Sequence, residues 1–530
     1  MTPPTLARVL ADAAERHPTR TLLRFEGETW SYAAFLAEVR WAAAALHAWG
    51  LRPGERVALY LGNTPSYLVA YLAALWCGAA VVPANTRYRE AELGHMLRDA
   101  GARLVVTDAE GEGTAAGARR HAPSVEDVVA LTGAPGADRP RWAGLADGAG
   151  VSASADADGV TASADADGVA APAAADPDGL ALIAFTSGTT GRSRGAMLTH
   201  ANLLANAGAV GRAWRWTAAD HLLLALPLFH IHGLGVGFHG TLVHGAGLTL
   251  HRRFDAGAVL AALEAGPATL FFGVPTMYGR LLTEAGDRPR RLAEVRLLVS
   301  GSAPLAAATL ERVEHLFGHR ILERYGMSET VMLTGNPYEG PRKAGTVGVP
   351  FDGVELRLDA GDHPTGAPGA TPAAGEVVVR GPSVTSGYWN DPDGTAAAFT
   401  ADGWFRTGDL GALDADGYLT LTGRARELII SGGFNVYPRE VEEAIASLPG
   451  VREVAVVGLP DADLGERVAA AVVVEPGGPE VDTERVVAHC QRLLAGFKAP
   501  RTVAFVEALP RNAMGKLLRH VVQEELGKTA

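Results

Sequence analysis

The sequence has few cysteines and no long apolar run. Only Cys77 and Cys490 occur among 530 residues, which excludes a disulfide framework and a thiolate zinc cluster and fits a reducing compartment. No segment approaches the roughly 18 uninterrupted apolar residues of a membrane-spanning helix, and the first residues lack the features of a signal peptide. We therefore expect a cytoplasmic protein without membrane insertion.

Acidic residues outnumber basic residues. The 47 Lys and Arg residues face 59 Asp and Glu residues, and the formal net charge of -12 argues against a general nucleic-acid-binding protein. Local anion sites remain compatible with that balance. The composition is 48% hydrophobic and 20% charged, as in a globular protein, and the length predicts two to four domains or subdomains.

Short apolar strands alternate with helical patterns along most of the chain. The pattern predicts a helix over 33–49, a strand over 56–60 and a helix over 200–209, which together indicate an α/β architecture with mixed sheets. From about 347 the short β-like runs predict a small strand-rich subdomain, and from 423 the α/β pattern returns.

Residues from about 144 to 179 form a low-complexity insertion. Their composition falls to Ala, Asp, Gly and Ser, and the nine residues 152–160 recur almost unchanged as 161–169. Two such units without large apolar side chains cannot build a core, so we expect a mobile surface segment. No residue there indicates a function.

A loop rich in glycine and hydroxyl side chains follows the apolar run 180–185. Its sequence is Thr186-Ser187-Gly188-Thr189-Thr190-Gly191-Arg192-Ser193-Arg194-Gly195. Glycines let consecutive N–H groups point at one anion, hydroxyls add donors, and the two arginines add charge. The spacing is not that of a P-loop NTPase. The loop predicts a phosphate site, with a solvated surface loop as the alternative.

Four later motifs stand in order with this loop. They are Tyr325-Gly326-Met327-Ser328-Glu329-Thr330, Gly403-Trp404-Phe405-Arg406-Thr407-Gly408-Asp409, Gly423-Arg424-Ala425-Arg426-Glu427 and Pro510-Arg511-Asn512-Ala513-Met514-Gly515-Lys516. With them, the chain resembles the acyl- and aryl-CoA synthetases of the adenylate-forming superfamily over nearly its whole length.

The resemblance implies a fold and a reaction. The fold is multi-domain α/β (α+β): a large N-terminal domain, residues 1–425, with two mixed β-sheets, helices and a small β subdomain, and a small mobile C-terminal α/β domain, residues 426–530. The reaction is that of an AMP-forming acid–CoA ligase, which first joins the acid to AMP and then transfers the acyl group to coenzyme A. The cofactors and co-substrates implied are ATP, Mg²⁺ and CoA. The sequence leaves monomer and homodimer open.

The resemblance also assigns residues to the adenylation step. The acid and the α-phosphate are both negative, so cations and donors must neutralise them along the path of attack. Lys516 is expected to bridge the carboxylate and the adenylate oxygens. Glu329 is expected to hold Mg²⁺, Thr330 to bond the α-phosphate, and Tyr325 to stack near the adenine.

The remaining nucleotide contacts follow from the same resemblance. Asp409 would accept both ribose hydroxyls, supported by Arg424. The residues expected to line the nucleotide and acyl pockets are Thr186, Ser187, Gly188, Thr189, Thr190, Gly191, Arg194, Gly301, Ser302, Ala303, Gly326 and Met327. The family loop usually ends Pro-Lys-Gly, whereas this chain has Ser193-Arg194-Gly195, which keeps the positive charge.

For the thioester step, the resemblance makes Arg426 the hinge of the mobile domain. Gly432 and Gly433 would line the pantetheine tunnel, where the lack of side chains lets a thin substrate pass. Lys498 and Arg501 are candidates for the CoA phosphates, with a purely solvated role as the alternative.

Four segments are expected around the acyl pocket, namely 227–234, 274–278, 296–305 and 335–340. They look most like the malonyl-CoA synthetase branch. A dicarboxylate keeps one negative charge after activation, so its pocket must supply a cation or several donors. Arg296 and His230 are the candidates, with Ser302 as an extra donor and Met327 as apolar lining. Alternatives stay open: Arg296 as a structural residue, a fatty- or aryl-acid substrate, or an adenylation module that loads a carrier protein.

Overall fold

The computed structural model describes residues 4–148, 172, 176–186, 193–359, 374–424, 427–431, 434–461, 463–494, 496–512 and 516–529. Predicted features outside the described residues are the 152–169 repeat, loop residues 187–192, the hinge Arg426, and Gly432 and Gly433. The chain divides into two compact units, Met1–Glu355 with Arg380–Phe405, and Leu356–Val379 with Arg406–Ala530. The domain boundary after residue 425 stays a prediction.

The secondary structure mixes strands and helices throughout. The strands are β1 (Thr21–Phe25), β2 (Glu28–Ser31), β3 (Arg56–Tyr60), β4 (Ala80–Pro83), β5 (Leu104–Asp108), β6 (Asp127–Leu131), β7 (Leu180–Thr186), β8 (Arg194–Thr199), β9 (His221–Leu224), β10 (Gly247–Leu250), β11 (Leu270–Gly273), β12 (Leu297–Ser300), β13 (Leu322–Tyr325), β14 (Thr334–Gly335), β15 (Val349–Pro350), β16 (Glu355–Asp359), β17 (Ala374–Arg380), β18 (Phe405–Leu413), β19 (Leu419–Arg424), β20 (Ile429–Ser431), β21 (Phe434–Val436), β22 (Val451–Asp461), β23 (Gly465–Val474) and β24 (Thr502–Phe505).

The α-helices are α1 (Leu6–Arg16), α2 (Tyr32–Trp49), α3 (Pro65–Trp76), α4 (Glu90–Ala100), α5 (Glu112–Arg119), α6 (Pro135–Gly148), α7 (His200–Ala213), α8 (His239–His244), α9 (Ala256–Ala265), α10 (Pro275–Ala285), α11 (Ala307–Phe317), α12 (Pro392–Ala398), α13 (Pro438–Ala446), α14 (Thr483–Leu493) and α15 (Arg519–Thr529). A π-helical turn, His232–Phe238, precedes α8. None of the helices in the described residues is long and apolar enough to cross a membrane.

Two mixed sheets build the first unit, as predicted. The nine-stranded sheet has the order β15-β14-β13-β12-β11-β9-β10-β1-β2, and the six-stranded sheet has the order β6-β5-β3-β4-β7-β8. The central strands β9 to β13 pair in parallel, whereas β2, β8, β14 and β15 pair antiparallel with their neighbours. The predicted α/β fold class is confirmed.

Helix α3 lies at the centre of the first unit. Thr64 accepts a hydrogen bond from the Tyr67 N–H and Pro65 takes the first helical position, so the helix begins with a capped turn a short loop after β3 ends at Tyr60. Every residue of α3 is buried, as expected for a helix apolar on all sides. One apolar cluster joins Leu72 of α3 to Val81 of the six-stranded sheet and Leu222 of the nine-stranded sheet.

The second unit contains most of a four-stranded sheet, β16-β17-β18-β19, and a sheet with the order β21-β20-β23-β22, to which β24 adds alongside β23. Helices α13, α14 and α15 accompany the latter sheet. Arg519 of α15 forms ion pairs with Glu442 of α13 and with Glu427, so one buried guanidinium ties α15 to α13 and to the residues before β20. The sheet that contains β20 to β24, with these helices, has the α/β composition expected of the small C-terminal domain.

Candidate active site

Two of the predicted pocket motifs of the first unit lie at one edge of the nine-stranded sheet. Strands β12 and β13 run parallel with Val299 opposite Leu322, so both end at the same edge. Gly301, Ser302 and Ala303 directly follow β12, and Gly326 to Thr330 directly follow β13. Ligands bind beyond the carboxyl ends of parallel strands because the turns and side chains there converge. The structure therefore brings these two motifs together.

The turns after these strands have an unusual backbone. Ser302 and Val331 adopt left-handed conformations, with φ of 68° and 59°. A Cβ added to Gly326 would lie 2.0 Å from the Val331 carbonyl oxygen, so only glycine fits there. Left-handed non-glycine residues cost free energy and cluster at functional sites. The backbone thus supports a site at this edge.

A buried arginine that the sequence analysis missed stands beside Gly301. Arg324 is 2% exposed, and its Nε and Nη2 have no hydrogen-bond partner in the part of the chain that the structure describes. A Cβ on Gly301 would lie 2.5 Å from the Arg324 Cζ, so this glycine backbone packs directly on the guanidinium. Burial lowers the pKa of Arg324 to about 9. The signal in the sequence was that Glu323 and Arg324 follow each other in a segment between apolar residues, which a buried strand does not normally contain.

His232 is the second pocket residue that the sequence analysis missed. It is fully buried at the start of the π-helical turn, a type of helix frequent at functional sites. Its Nδ1 lies 3.3 Å from the Ser302 hydroxyl, and its ring stacks on Phe272 with centroids 6.4 Å apart. Burial, and then the charges of Arg324 and His230, hold its pKa well below the ordinary value, so the ring is neutral.

The predicted ligand His230 lies next to this group. Its Nδ1 accepts a hydrogen bond from the His232 N–H at 3.2 Å, and its side chain is half-buried. The ring therefore supports the backbone turn that positions His232. Met327 is half-buried in the turn after β13, as expected for pocket lining.

The structure corrects the prediction for Arg296. This residue precedes β12, so it lies at the sheet edge opposite to Ser302. Its Nε and Nη2 donate to the two carboxylate oxygens of Asp220 at 2.7 and 2.9 Å. The guanidinium also donates to the Trp214 and Arg215 carbonyl oxygens and lies over the Tyr338 ring. These partners occupy the guanidinium, so Arg296 is a structural residue.

The predicted metal and phosphate ligands are buried. Glu329 is 5% exposed, and its Oε1 accepts a hydrogen bond from the Tyr388 hydroxyl at 3.1 Å. Thr330 is fully buried, and its hydroxyl has no partner among the described residues. No group of three His, Cys, Asp or Glu side chains that could hold a metal occurs within those residues. This donor set fits Mg²⁺, which takes few protein ligands when phosphate oxygens and waters complete its octahedron.

The two ends of the glycine-rich loop are described, and a hairpin holds them together. Thr186 at the end of β7 pairs with Arg194 at the start of β8, and the Ser193 hydroxyl donates to the Thr186 carbonyl oxygen at 2.5 Å. Arg194 forms an ion pair with Asp391 at 3.1 Å and lies over the Tyr388 ring. The loop therefore starts and ends beside the residue that contacts Glu329.

The second unit carries the predicted ribose and lysine positions. Asp409 and Arg424 are opposite each other on β18 and β19 and form an ion pair at 2.9 Å. Lys516 is exposed, its N–H donates to the Asn512 Oδ1, and its carbonyl oxygen accepts from the Asn512 N–H, both at 2.9 Å. Lys498 pairs with Glu440 at 2.6 Å, so this lysine has a protein partner.

Comparisons with known proteins cover nearly the whole chain. The model of the AMP-binding enzyme family matches residues 10–389, and that of the AMP-binding enzyme C-terminal domain matches residues 440–516. A feruloyl-CoA synthase of Amycolatopsis sp is 37% identical over 97% of both chains, and a sulfoacetate–CoA ligase of Cupriavidus necator is 36% identical over 97% of this chain and 96% of its own. The crystal structure of ATP-bound MatB from Rhodopseudomonas palustris is 38% identical over 99% of both chains, with a TM-score of 0.87. The names of the two relatives give different acids, one aromatic and one a small sulfonate.

Proposed function

We propose, on the premise that this chain belongs to the AMP-binding enzyme family and is an ATP-dependent, AMP-forming acid–CoA ligase, that its acid is a small dicarboxylate, best malonate or methylmalonate. The observation that carries the proposal is Arg324, whose buried guanidinium has two nitrogens without a partner among the described residues. The site therefore contains a cation that a bound anion would neutralise.

A carboxylate is the anion that fits this cation. An uncompensated buried charge is costly, and the guanidinium fork matches the two oxygens of a carboxylate. A dicarboxylate activated at one end keeps a carboxylate at the other end, whereas a monocarboxylate would leave Arg324 unneutralised. Arg324 thus takes the place that Arg296 had in the sequence analysis.

Ser302 and His232 add neutral donors beside this charge. The 3.3 Å contact between them places a hydroxyl and an imidazole next to the strand end that carries Arg324. The His232 ring stacks on the Phe272 ring, which belongs to the apolar core. Arg324, Ser302 and His232 form a polar group that packs against the apolar core, which favours a short acid over a long acyl chain.

The relatives support two substrate classes. The sulfoacetate–CoA ligase is named for a small acid with a second anionic group, in line with Arg324. The feruloyl-CoA synthase favours an aryl acid as the second candidate. A fatty acid and a carrier-protein-loading module remain the other outcomes to test.

The ATP half-reaction is proposed to use the chemistry that the motifs indicate. Glu329 would hold Mg²⁺, which neutralises phosphate charge, and Thr330 would donate to the α-phosphate. Asp409 would accept the ribose hydroxyls with Arg424 beside it. Lys516 would supply the cation between the acid and the adenylate oxygens. The roles of Tyr325, Arg194 and the Gly301–Ala303 backbone toward the nucleotide are proposed on the same basis.

The test is AMP and acyl-CoA formation from ATP and CoA with malonate, methylmalonate, acetate, octanoate and coumarate. We expect kcat/KM for malonate or methylmalonate to exceed that for acetate at least about tenfold, since one buried charge pair is worth more than 1.4 kcal/mol. Preference for octanoate or coumarate would overturn the dicarboxylate assignment. Adenylate formation without any thioester in the presence of CoA would indicate the carrier-protein alternative.

A further inference from the structure

We infer that Tyr388 is a positioning residue for the ATP half-reaction: its hydroxyl holds the Glu329 carboxylate in the orientation that meets the metal–nucleotide complex, and the Arg194–Asp391 ion pair holds the Tyr388 ring. This inference rests on the proposed role of Glu329 as the Mg²⁺ ligand. It does not depend on which acid the enzyme uses.

The backbone fixes Tyr388 between two parts of the site. Met197 and Trp389 donate N–H hydrogen bonds to the Gly387 and Gly195 carbonyl oxygens at 3.0 and 2.8 Å, so the segment around Tyr388 runs beside β8. At the other side, the Thr385 N–H donates to the Glu329 carbonyl oxygen at 2.7 Å. One short segment therefore contacts both the end of the glycine-rich loop and the turn that carries Glu329.

Side-chain contacts also join Tyr388 to Glu329 and to Arg194. The Tyr388 hydroxyl donates to Glu329 Oε1 at 3.1 Å, and the Arg194 guanidinium lies 5.5 Å from the Tyr388 ring centroid. Asp391 pairs with Arg194 through Oδ2 and caps α12 by accepting from the Gly394 N–H through Oδ1. The ring is thus held by a cation whose own position is fixed by a helix cap.

The hydrogen bond has a defined direction. A phenol carries its proton at neutral pH and a carboxylate oxygen only accepts, so the Tyr388 hydroxyl donates to Glu329 Oε1. A carboxylate attached by two rotatable bonds to Glu329 Cβ loses this orientation when the donor is removed. A hydrogen bond to a charged group contributes more than one between neutral groups.

The experiment measures Mn²⁺ binding to the full-length enzyme with ATP, using electron paramagnetic resonance of free Mn²⁺ and no acid. We expect Tyr388→Phe, which keeps the ring under Arg194, to raise the Mn²⁺ dissociation constant about tenfold. The concentration of Mg²⁺ for half-maximal AMP formation should rise by a similar factor, with KM for the acid unchanged. Asp391→Asn keeps the helix cap and should give a smaller change in the same direction.

The matched control is Tyr32→Phe. The Tyr32 hydroxyl is also buried and donates to backbone carbonyl oxygens of Thr241 and Ala246, but the residue contacts none of the site. It should leave Mn²⁺ binding unchanged. If Glu329→Gln weakens Mn²⁺ binding while Tyr388→Phe does not, the positioning role is wrong. If Glu329→Gln also leaves binding unchanged, the metal assignment of Glu329 is wrong.

Discussion

Replacing Arg324 by methionine should make the ligand-free enzyme more stable and at the same time remove its activity on a dicarboxylate. Methionine is close to arginine in length but carries no charge, so it fills the buried space without the desolvation cost. Burial lowers the pKa of Arg324 to about 9, which corresponds to several kcal/mol against the charged form of the guanidinium. Local relaxation of the folded protein relieves part of this cost, so we expect Arg324→Met to raise the free energy of unfolding by about 1–4 kcal/mol.

The same variant should lose activity on a dicarboxylate although its fold becomes more stable. A substrate carboxylate that loses its buried cation loses about 2–5 kcal/mol, so kcat/KM for malonate should fall by about 30-fold or more. Acetate has no second carboxylate, so its kcat/KM should change by less than about threefold. Such a split between two acids identifies a substrate contact, because a general folding defect would lower both.

The assays are thermal unfolding with and without 10-fold excess malonate over its KM, and AMP release for both acids. The control is Arg320→Met, which changes an exposed arginine on the loop before the same strand. The reasoning is refuted if Arg324→Met lowers the unfolding temperature, or if it leaves malonate turnover unchanged.

Four further outcomes follow. Arg296→Met should lower the free energy of unfolding in urea by about 2–4 kcal/mol, because it leaves the buried Asp220 carboxylate without its bidentate partner. The preference between acetate and malonate, measured in parallel turnover assays, should not change. Gly301→Ala should raise KM for the acid more than KM for ATP in steady-state assays, because its Cβ would displace the Arg324 guanidinium. Lys516→Ala should slow AMP formation about 10²–10³-fold but spare thioester formation from a supplied acyl-adenylate, measured by rapid quench. The free energy of unfolding should fall as pH drops below about 6.5, by about 5 kcal/mol between pH 7.5 and 5.5. Burial lowers the pKa of four histidines, so the unfolded chain binds protons at a higher pH than the folded protein does; they are His200, His221, His232 and His239. An unfolding temperature that stays constant over that pH range would contradict this expectation.

The sequence by itself determined the architecture and the reaction class. Strand β7 running into the glycine-rich loop, the capped start of α3 and the turn motif after β13 each follow from local chemistry: apolar runs, an N-cap threonine before proline, and glycine where no Cβ fits. These local signals agree with one another along the chain, which is why the α/β fold could be predicted, whereas the roles proposed for Glu329 and Thr330 rest on the resemblance of the ordered motifs to the adenylate-forming superfamily.

Tertiary structure distinguishes the two arginines that could bind a substrate carboxylate. Arg296 and Arg324 both adjoin strands of the same sheet, but one precedes its strand and the other stands near the end of its strand, so they lie toward opposite edges. The distant partners Asp220 and Trp214 occupy Arg296, and the neighbouring Gly301 backbone covers Arg324 without pairing it. Sequence spacing cannot supply such partners, because they come from residues separated by tens of positions and are brought together only by parallel strand pairing. The contact of Tyr388 with Glu329, which joins residues 59 positions apart, depends on the fold for the same reason.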